Sequence, residues 1–342
     1  MSLEQLLSKA WYGNCPWTKV FLPLMPLVNN VVYKKRAAFI ANPNLSYTAP
    51  VPVIVVGNIS VGGTGKSPMV VALCELLRSH GFRPGIVSRG HGVKLAAPVL
   101  LDAQSVASQV GDEPAMLARR TQCPIVVYPK RAQAIQHLLS ETAVDVVVCD
   151  DGMQHYALNR DIEIAMVDAQ RGIGNGRLLP VGPLREPAER LGSVDYVVSI
   201  AEHMTPPLSA LIEYCNGLPV QTAMLSSAHL TSLDGSRKMA FSDAFSSTVN
   251  WHVMAGIGNP ERFIQTLKGL GLEEPASVTW FADHHAYHEG DIPAEGGVIM
   301  TEKDAVKCQD LALKNPNIWY LPVSLALPDE LTVSLMTKLQ HN

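Results

Sequence analysis

Residues 53–71 constrain this chain more than any other stretch, because they combine an apolar strand (52–56), a glycine-rich turn and a helix from Met69 onward. In the turn Gly62-Gly63-Thr64-Gly65-Lys66-Ser67 the glycines let backbone N–H groups converge on an anion with no Cβ in the way. The helix behind them presents unsatisfied amides and the positive end of its dipole to the same point. Lys66 adds a mobile charge, and the Ser67 hydroxyl stands where a Mg2+ ligand is needed. This is the pattern of a phosphate-binding loop running from Ser60 and Val61 to Ser67, with one departure: Ser60 occupies the place of the usual first glycine. The flanking strand and helix make a merely solvated tight turn the weaker reading.

Short, continuous, β-branched runs follow at Pro84–Ser88, 124–128, 144–149, Ile162–Val167 and Tyr196–Ile200. Unbroken apolar runs mark strands buried on both faces of a parallel sheet. The prediction is therefore an α/β fold, P-loop NTPase-like, with a mostly parallel sheet and helices on both faces. Ligands of such sheets lie beyond the carboxyl ends of the strands. Those ends carry Ser88-Arg89-Gly90-His91-Gly92, Lys130-Arg131 and Asp150-Asp151-Gly152-Met153-Gln154-His155. A carboxylate closing an apolar strand downstream of a phosphate loop is the arrangement that holds Mg2+, directly or through water. By spacing alone, Gly111-Asp112-Glu113-Pro114 reads as a helix start, with Asp112 as cap and Pro114 in the first turn. The Gly- and Pro-rich loop 172–187 is long enough to be functional. Within it, Arg185 reads equally as a group that neutralises phosphoryl charge and as one side of a surface ion pair with Glu186 or Glu189.

At 342 residues and 47% hydrophobic content, two modest domains can each fill a core. Pro206-Pro207 and Leu218-Pro219 bracket the expected boundary. This divides the chain into an N-terminal helical segment (1–48), a nucleotide-binding domain (49–210) and a smaller C-terminal α/β domain (211–342) that closes over the site. In the last, a strand at Trp251–Ala255 leads into the turn Gly256-Ile257-Gly258-Asn259-Pro260 and a helix over 261–270; a Gly-x-Gly turn alone is weak evidence for a second nucleotide site. Adjacent His284 and His285 point to different sides of most backbones and do not suggest a shared metal. A net charge of −4 argues against non-specific nucleic-acid binding, and six scattered cysteines without a Cys-x-x-Cys fit a reducing compartment. Residues 17–32 are apolar but broken by Lys19, Pro23 and Pro26, then followed by Lys34-Lys35-Arg36. That is too short to span a bilayer and in the wrong order for a secretory signal. It suits either an anionic membrane surface or a helix pair packed on the domain behind it.

Taken in order, these motifs resemble the tetraacyldisaccharide 4′-kinase family, the lipid A 4′-kinases of Gram-negative bacteria. The resemblance rests on Val56-Gly57-Asn58 through Lys66-Ser67-Pro68, Ser88-Arg89-Gly90, Gly111-Asp112-Glu113-Pro114 and Asp150-Asp151-Gly152-Met153-Gln154-His155. It continues through Pro183-Leu184-Arg185-Glu186-Pro187, Gly256-Ile257-Gly258-Asn259-Pro260, Asp283-His284-His285 and Thr301-Glu302-Lys303-Asp304-Ala305. It implies an ATP-dependent kinase for the 4′ hydroxyl of a tetraacylated glucosamine disaccharide 1-phosphate, acting peripherally or monotopically at the cytoplasmic face of the inner membrane. It also implies roles: Asp112 as base with His284 as its partner, Lys66 and Arg185 at the phosphates, and Ser67, Asp150 and Asp151 on Mg2+ with Glu186 assisting. Ser88, Arg89, Glu113, Arg131 and His155 become candidate substrate contacts. His91 stands where the family commonly has Tyr, and Val61 stands where a wider group of P-loop NTPases has an additional lysine. No obligate protein partner is implied. The rival of another class is a P-loop GTPase switch or metal-insertion chaperone, but Lys303-Asp304 lacks the spacing of a guanine-reading Asn-Lys-x-Asp motif.

Overall fold

The computed structural model describes residues 3–13, 16–102, 105, 107–246, 249–283, 285–311 and 316–340. Eight strands build the first part of the chain: β1 Val53–Gly57, β2 Pro84–Ser88, β3 Val99–Leu100, β4 Ile125–Val127, β5 Val146–Asp150, β6 Ile162–Val167, β7 Tyr196–Ile200 and β8 Val220–Ser226. Six more follow as β9 Leu230–Ser232, β10 Lys238–Met239, β11 Trp251–Ala255, β12 Ser277–Trp280, β13 Gly297–Thr301 and β14 Ile318–Leu321, and β15 Ser324–Ala326 closes the series. The first sheet has nine strands in the order β15-β8-β7-β6-β1-β5-β2-β4-β3, and the second has six in the order β10-β9-β14-β13-β11-β12. In the first sheet only the edge pairs β15 with β8 and β3 with β4 are antiparallel. The mostly parallel α/β architecture expected from the apolar runs is the one found.

All five residues of β1 are buried, and the strand's period of two divides them between two cores. Ile54 and Val56 pack with the helices Lys66–Ser79 and Asp112–Thr121 on one face. Val53 and Val55 pack with the helix Arg131–Glu141 and the 3-10 turn Ala188–Ser193 on the other. The second sheet is divided the same way: Trp251, Val253 and Ala255 face one cluster, Met254 the opposite one. Strand order places β1 at the centre of the first sheet, so the turn after it opens at the middle of the molecule.

The division at 206–219 is corrected by the sheet topology. Beyond Pro206 the chain makes only the short helix Pro206–Ser209 and a single 3-10 turn before Val220 pairs with Val197, so β8 extends the first sheet. After β14 the chain returns to that sheet through β15 and the helix Asp329–Gln340, whose Leu331, Leu335, Met336 and Leu339 are buried in the first sheet's core. The second unit is thus an insertion between β8 and β15. At the other end, the helices Leu3–Tyr12 and Met25–Ala41 flank a 3-10 stretch, Pro16–Leu24. Met25, Val28 and Val32 pack on the first unit, while Val20, Leu27, Val31 and Ile40 face outward.

Candidate active site

The helix after the phosphate loop begins at Lys66, a full turn-edge before the Met69 expected from apolar pattern, because Lys66, Ser67 and Pro68 already lie in its first turn. Gly65 occupies the N-cap position with φ of +91°, and a Cβ there would come within 2.2 Å of Ile200 Cδ1, so both backbone angle and packing require glycine. Loop 172–187 supports the turn from behind. Val61 N–H donates to the Pro183 carbonyl at 2.8 Å, and Arg185 N–H donates to the Ile59 carbonyl at 2.7 Å. Ser60 is buried and bridges to Leu184, so it backs the loop and the ligand-facing wall begins at Val61.

Around the turn, three predicted groups converge. Lys66 Nζ lies 3.6 Å from Asp151 Oδ1, and Arg185 Nη1 lies 3.2 Å from each oxygen of the same carboxylate. Of the two readings of Arg185, the geometry favours the one facing the phosphate loop over a surface pair with Glu186 or Glu189. Asp151 sits at φ of +49°, a left-handed conformation that Asp tolerates better than most residues and that re-aims its side chain away from β5. Burial pushes this carboxyl up, but Lys66 and Arg185 outweigh it and hold it below the usual range. Asp150 is the opposite case. It is buried, accepts from Ser88 Oγ at 3.2 Å, and is pushed up to about 7 by burial, with Glu113 and Asp151 adding to the effect against Lys66 and Arg131. Its Oδ1 and the Thr64 hydroxyl are buried without a hydrogen-bond partner among the described residues.

Arg131 is almost wholly buried and donates to the Asp150 and Tyr128 carbonyls, at 2.9 and 3.1 Å. It fixes the end of β5. His155 is driven down to about 4 by burial, with Arg131, Arg160, Lys35 and Arg89 adding to the effect, so a neutral imidazole lies in a cationic neighbourhood. Lys35 Nζ reaches the Gln154 carbonyl at 3.4 Å, which ties the helix Met25–Ala41 to the carboxylate-bearing motif.

Glu186 is buried next to Gln154 of the Asp150–His155 motif. Its carboxylate accepts from Gln154 Nε2 at 2.7 Å and lies 3.6 Å from Arg190 Nε. Among the described residues no three His, Cys, Asp or Glu side chains form a cluster of metal-ligand spacing, and Glu186 Oε1 is buried with no hydrogen-bond partner among them. Asp112 is corrected in part: Gly111, at φ of +97°, takes the N-cap position, and Asp112 is the first helical residue, with its side chain directed across to the second unit. His284 lies outside the described residues.

A cleft of about 480 Å3 separates the two units and is lined by the turn 61–67, Glu113, Asp151 and Arg185 on one side. The opposite wall carries Ile257, Gly258, Asn259, Arg262, Phe263 and Lys303, with Ile200, Leu225 and Val323 forming an apolar end. Gly258 comes so close to the phosphate loop that a Cβ would lie 3.2 Å from Gly63 N. Lys303 crosses the cleft mouth to Glu113 at 3.4 Å and Asp283 at 3.0 Å. These contacts, and those of Lys307 described below, were not legible by motif; the Gly-x-Gly turn was the available signal, and its position against the phosphate loop explains it.

A family model described as tetraacyldisaccharide-1-P 4′-kinase matches residues 17–340. The chain belongs to that family. Among curated tetraacyldisaccharide 4′-kinases, the Shewanella frigidimarina protein is 43% identical over 99% of this chain and 96% of its own length, and the Aeromonas salmonicida protein is 43% identical over 98% and 96%. A crystal structure of LpxK from Aquifex aeolicus in complex with ATP superposes with a TM-score of 0.75 at 25% identity, covering 95% of this chain and 98% of that one. The chain is thus a kinase of the tetraacyldisaccharide-1-P 4′-kinase family, with the fold of its solved relative. Membership displaces the GTPase alternative.

Proposed function

We propose that this kinase transfers the γ-phosphoryl group of ATP to the 4′ hydroxyl of a tetraacylated glucosamine disaccharide 1-phosphate, from the cytoplasmic face of the bacterial inner membrane. The observation that carries the reading is the convergence, in one cleft, of the turn 62–67, Lys66, Asp151 and Arg185 on one side of the space that Glu113 borders, with Asp112 beside Glu113 at the start of the same helix. The amides of the turn and Lys66 hold the β and γ phosphates, and Arg185 balances charge as the bond between the β-side oxygen and the γ phosphorus breaks. Asp112 accepts the proton of the acceptor hydroxyl while its oxygen bonds to the same phosphorus, leaving ADP and a phosphate monoester. The apolar end of the cleft at Ile200, Leu225, Phe263 and Val323 suits the base of the nucleotide.

A divalent ion fits the residues present. Ser67, Asp150 and Asp151 supply oxygen donors of the kind Mg2+ takes, and the unpartnered Asp150 Oδ1 is the orphan such an ion or its water would satisfy. When bound, Mg2+ neutralises charge on the β and γ phosphates.

Cations around neutral His155, contributed by Arg89 and Lys35 among others, suit an acceptor that carries a phosphate of its own. Membrane contact is supported by Val20, Leu27, Val31 and Ile40, 58 to 70% exposed, beside Lys34 and Lys35. No helix among the described residues is long and apolar enough to cross a membrane, which fits peripheral attachment. The test is transfer of label from γ-32P-ATP to the lipid disaccharide 1-phosphate in mixed micelles. Labelled lipid sensitive to a monoesterase supports the reading; ATP turnover with no lipid product removes it.

A further inference from the structure

Lys307 belongs to the second unit, yet its ammonium lies 3.9 Å from Oδ2 of Asp112 on the first. Its side chain is only 6% exposed, so it stands in a medium where charges act strongly on one another. On its own unit it lies 2.8 Å from Asp304 Oδ1, at an angle unsuited to a hydrogen bond, and 5.0 Å from the centre of the Tyr287 ring. Its donors are therefore without a hydrogen-bond acceptor among the described residues. Asp304 is itself fixed, fully buried, by the Gly256 N–H at 3.0 Å and the Thr301 hydroxyl at 2.6 Å. Gly256 opens the turn whose Gly258 abuts the phosphate loop. One rigid carboxylate thus ties together the turn that meets the nucleotide's loop and the lysine that faces Asp112.

We propose that Lys307 is a positioning residue for Asp112, so that the proton acceptor takes up its working place only when the second unit is seated against the first. The inference rests on the reading of Asp112 as the base. Lys303, four residues earlier in the short helix Glu302–Ala305 that leads into the turn carrying Lys307, pairs with Glu113 in parallel and gives the docking a second point. The pair Asp112-Glu113 is thereby read by two lysines from across the cleft. A charge of this kind aligns a reacting group through distance and direction, and a displacement of about 1 Å costs on the order of a hundredfold in rate.

The test is steady-state kinetics on the full-length protein for Lys307→Met, Lys307→Arg, Asp112→Asn and the double variant Asp112→Asn with Lys307→Met. The expected result is a loss in kcat of about ten- to a hundredfold for Lys307→Met with the ATP KM held within about twofold, and recovery of most of it in Lys307→Arg. In the double variant the loss is that of Asp112→Asn alone, since Lys307 has nothing left to place. If methionine at this buried position prevents folding, Lys307→Gln serves in the same comparisons. An unchanged kcat in Lys307→Met or Lys307→Gln, a rise in ATP KM equal to the fall in kcat, or multiplicative losses in the double variant overturn the inference. Full activity in Asp112→Asn instead overturns the base assignment beneath it, and the two failures are told apart by that single variant.

Discussion

Asp150 and Asp151 are neighbours in sequence but meet opposite fields. Asp151 faces Lys66 and Arg185 and stays charged, whereas Asp150 is enclosed and its carboxyl is pushed up to about 7. If Asp150 holds a divalent ion as proposed, a proton competes with that ion for it, and the competition favours the proton as pH falls through about 7. The apparent Mg2+ affinity is expected to weaken steadily below that value and to level off above it. Titrating Mg2+ against activity across the pH range checks this; an Mg2+ requirement that does not change with pH contradicts it. Metal-free stability runs with the opposite sign. A carboxyl whose pKa in the fold exceeds its ordinary 3.8 binds a proton more tightly folded than unfolded, so this contribution is lost as pH rises from about 4 to about 7. Asp150→Asn is expected to flatten that part of the metal-free stability profile, measured by thermal unfolding.

At the scale of elements, the turn 256–260 and the phosphate loop are the pair whose fit matters most. In Gly258→Ala the new methyl carbon would stand 3.2 Å from Gly63 N, and the crowded partner is backbone, which yields only by moving an amide aimed at phosphate. The expected outcome is an ATP KM raised by about three- to tenfold with melting temperature nearly unchanged, read by initial rates and by calorimetry. An unaltered KM would mean that the turn moves aside without cost. Strands β1, β2, β4, β5, β6, β7 and β11 were legible because continuous β-branched runs have few other stable fates than a sheet buried on both faces. The phosphate loop was legible for a similar reason, since only glycine serves such a backbone. Two features were hidden. The start of the helix at Lys66 was masked because its first turn is polar, where pattern has nothing to register. The links from Lys303 to Glu113 and from Lys307 to Asp112 join positions nearly two hundred residues apart, and no local period encodes a contact of that separation.

For the whole molecule, the chain leaves the first sheet after β8, builds the second unit, and comes back to close the first with β15 and the final helix. The returning segment explains why Pro-rich stretches near 206–219 misled the division into domains: they mark a short connection inside the first sheet. The N-terminal helices give the molecule one face where apolar side chains and lysines lie together, and Lys35 joins that face to Gln154 beside the site. Val20→Asp combined with Leu27→Asp is expected to abolish sedimentation with anionic liposomes and to raise the KM for membrane-borne acceptor by about tenfold or more, with ATP binding intact. Undiminished liposome binding would remove the membrane role of this face. The central claim, that ATP and a lipid alcohol meet in the cleft with Asp112 between them, is tested most directly by single-turnover transfer in Asp112→Asn with ATP affinity measured on the same protein. The account predicts transfer slowed by at least about a thousandfold while ATP binds as in the parent; transfer at the parental rate, or loss of ATP binding in step with transfer, contradicts it.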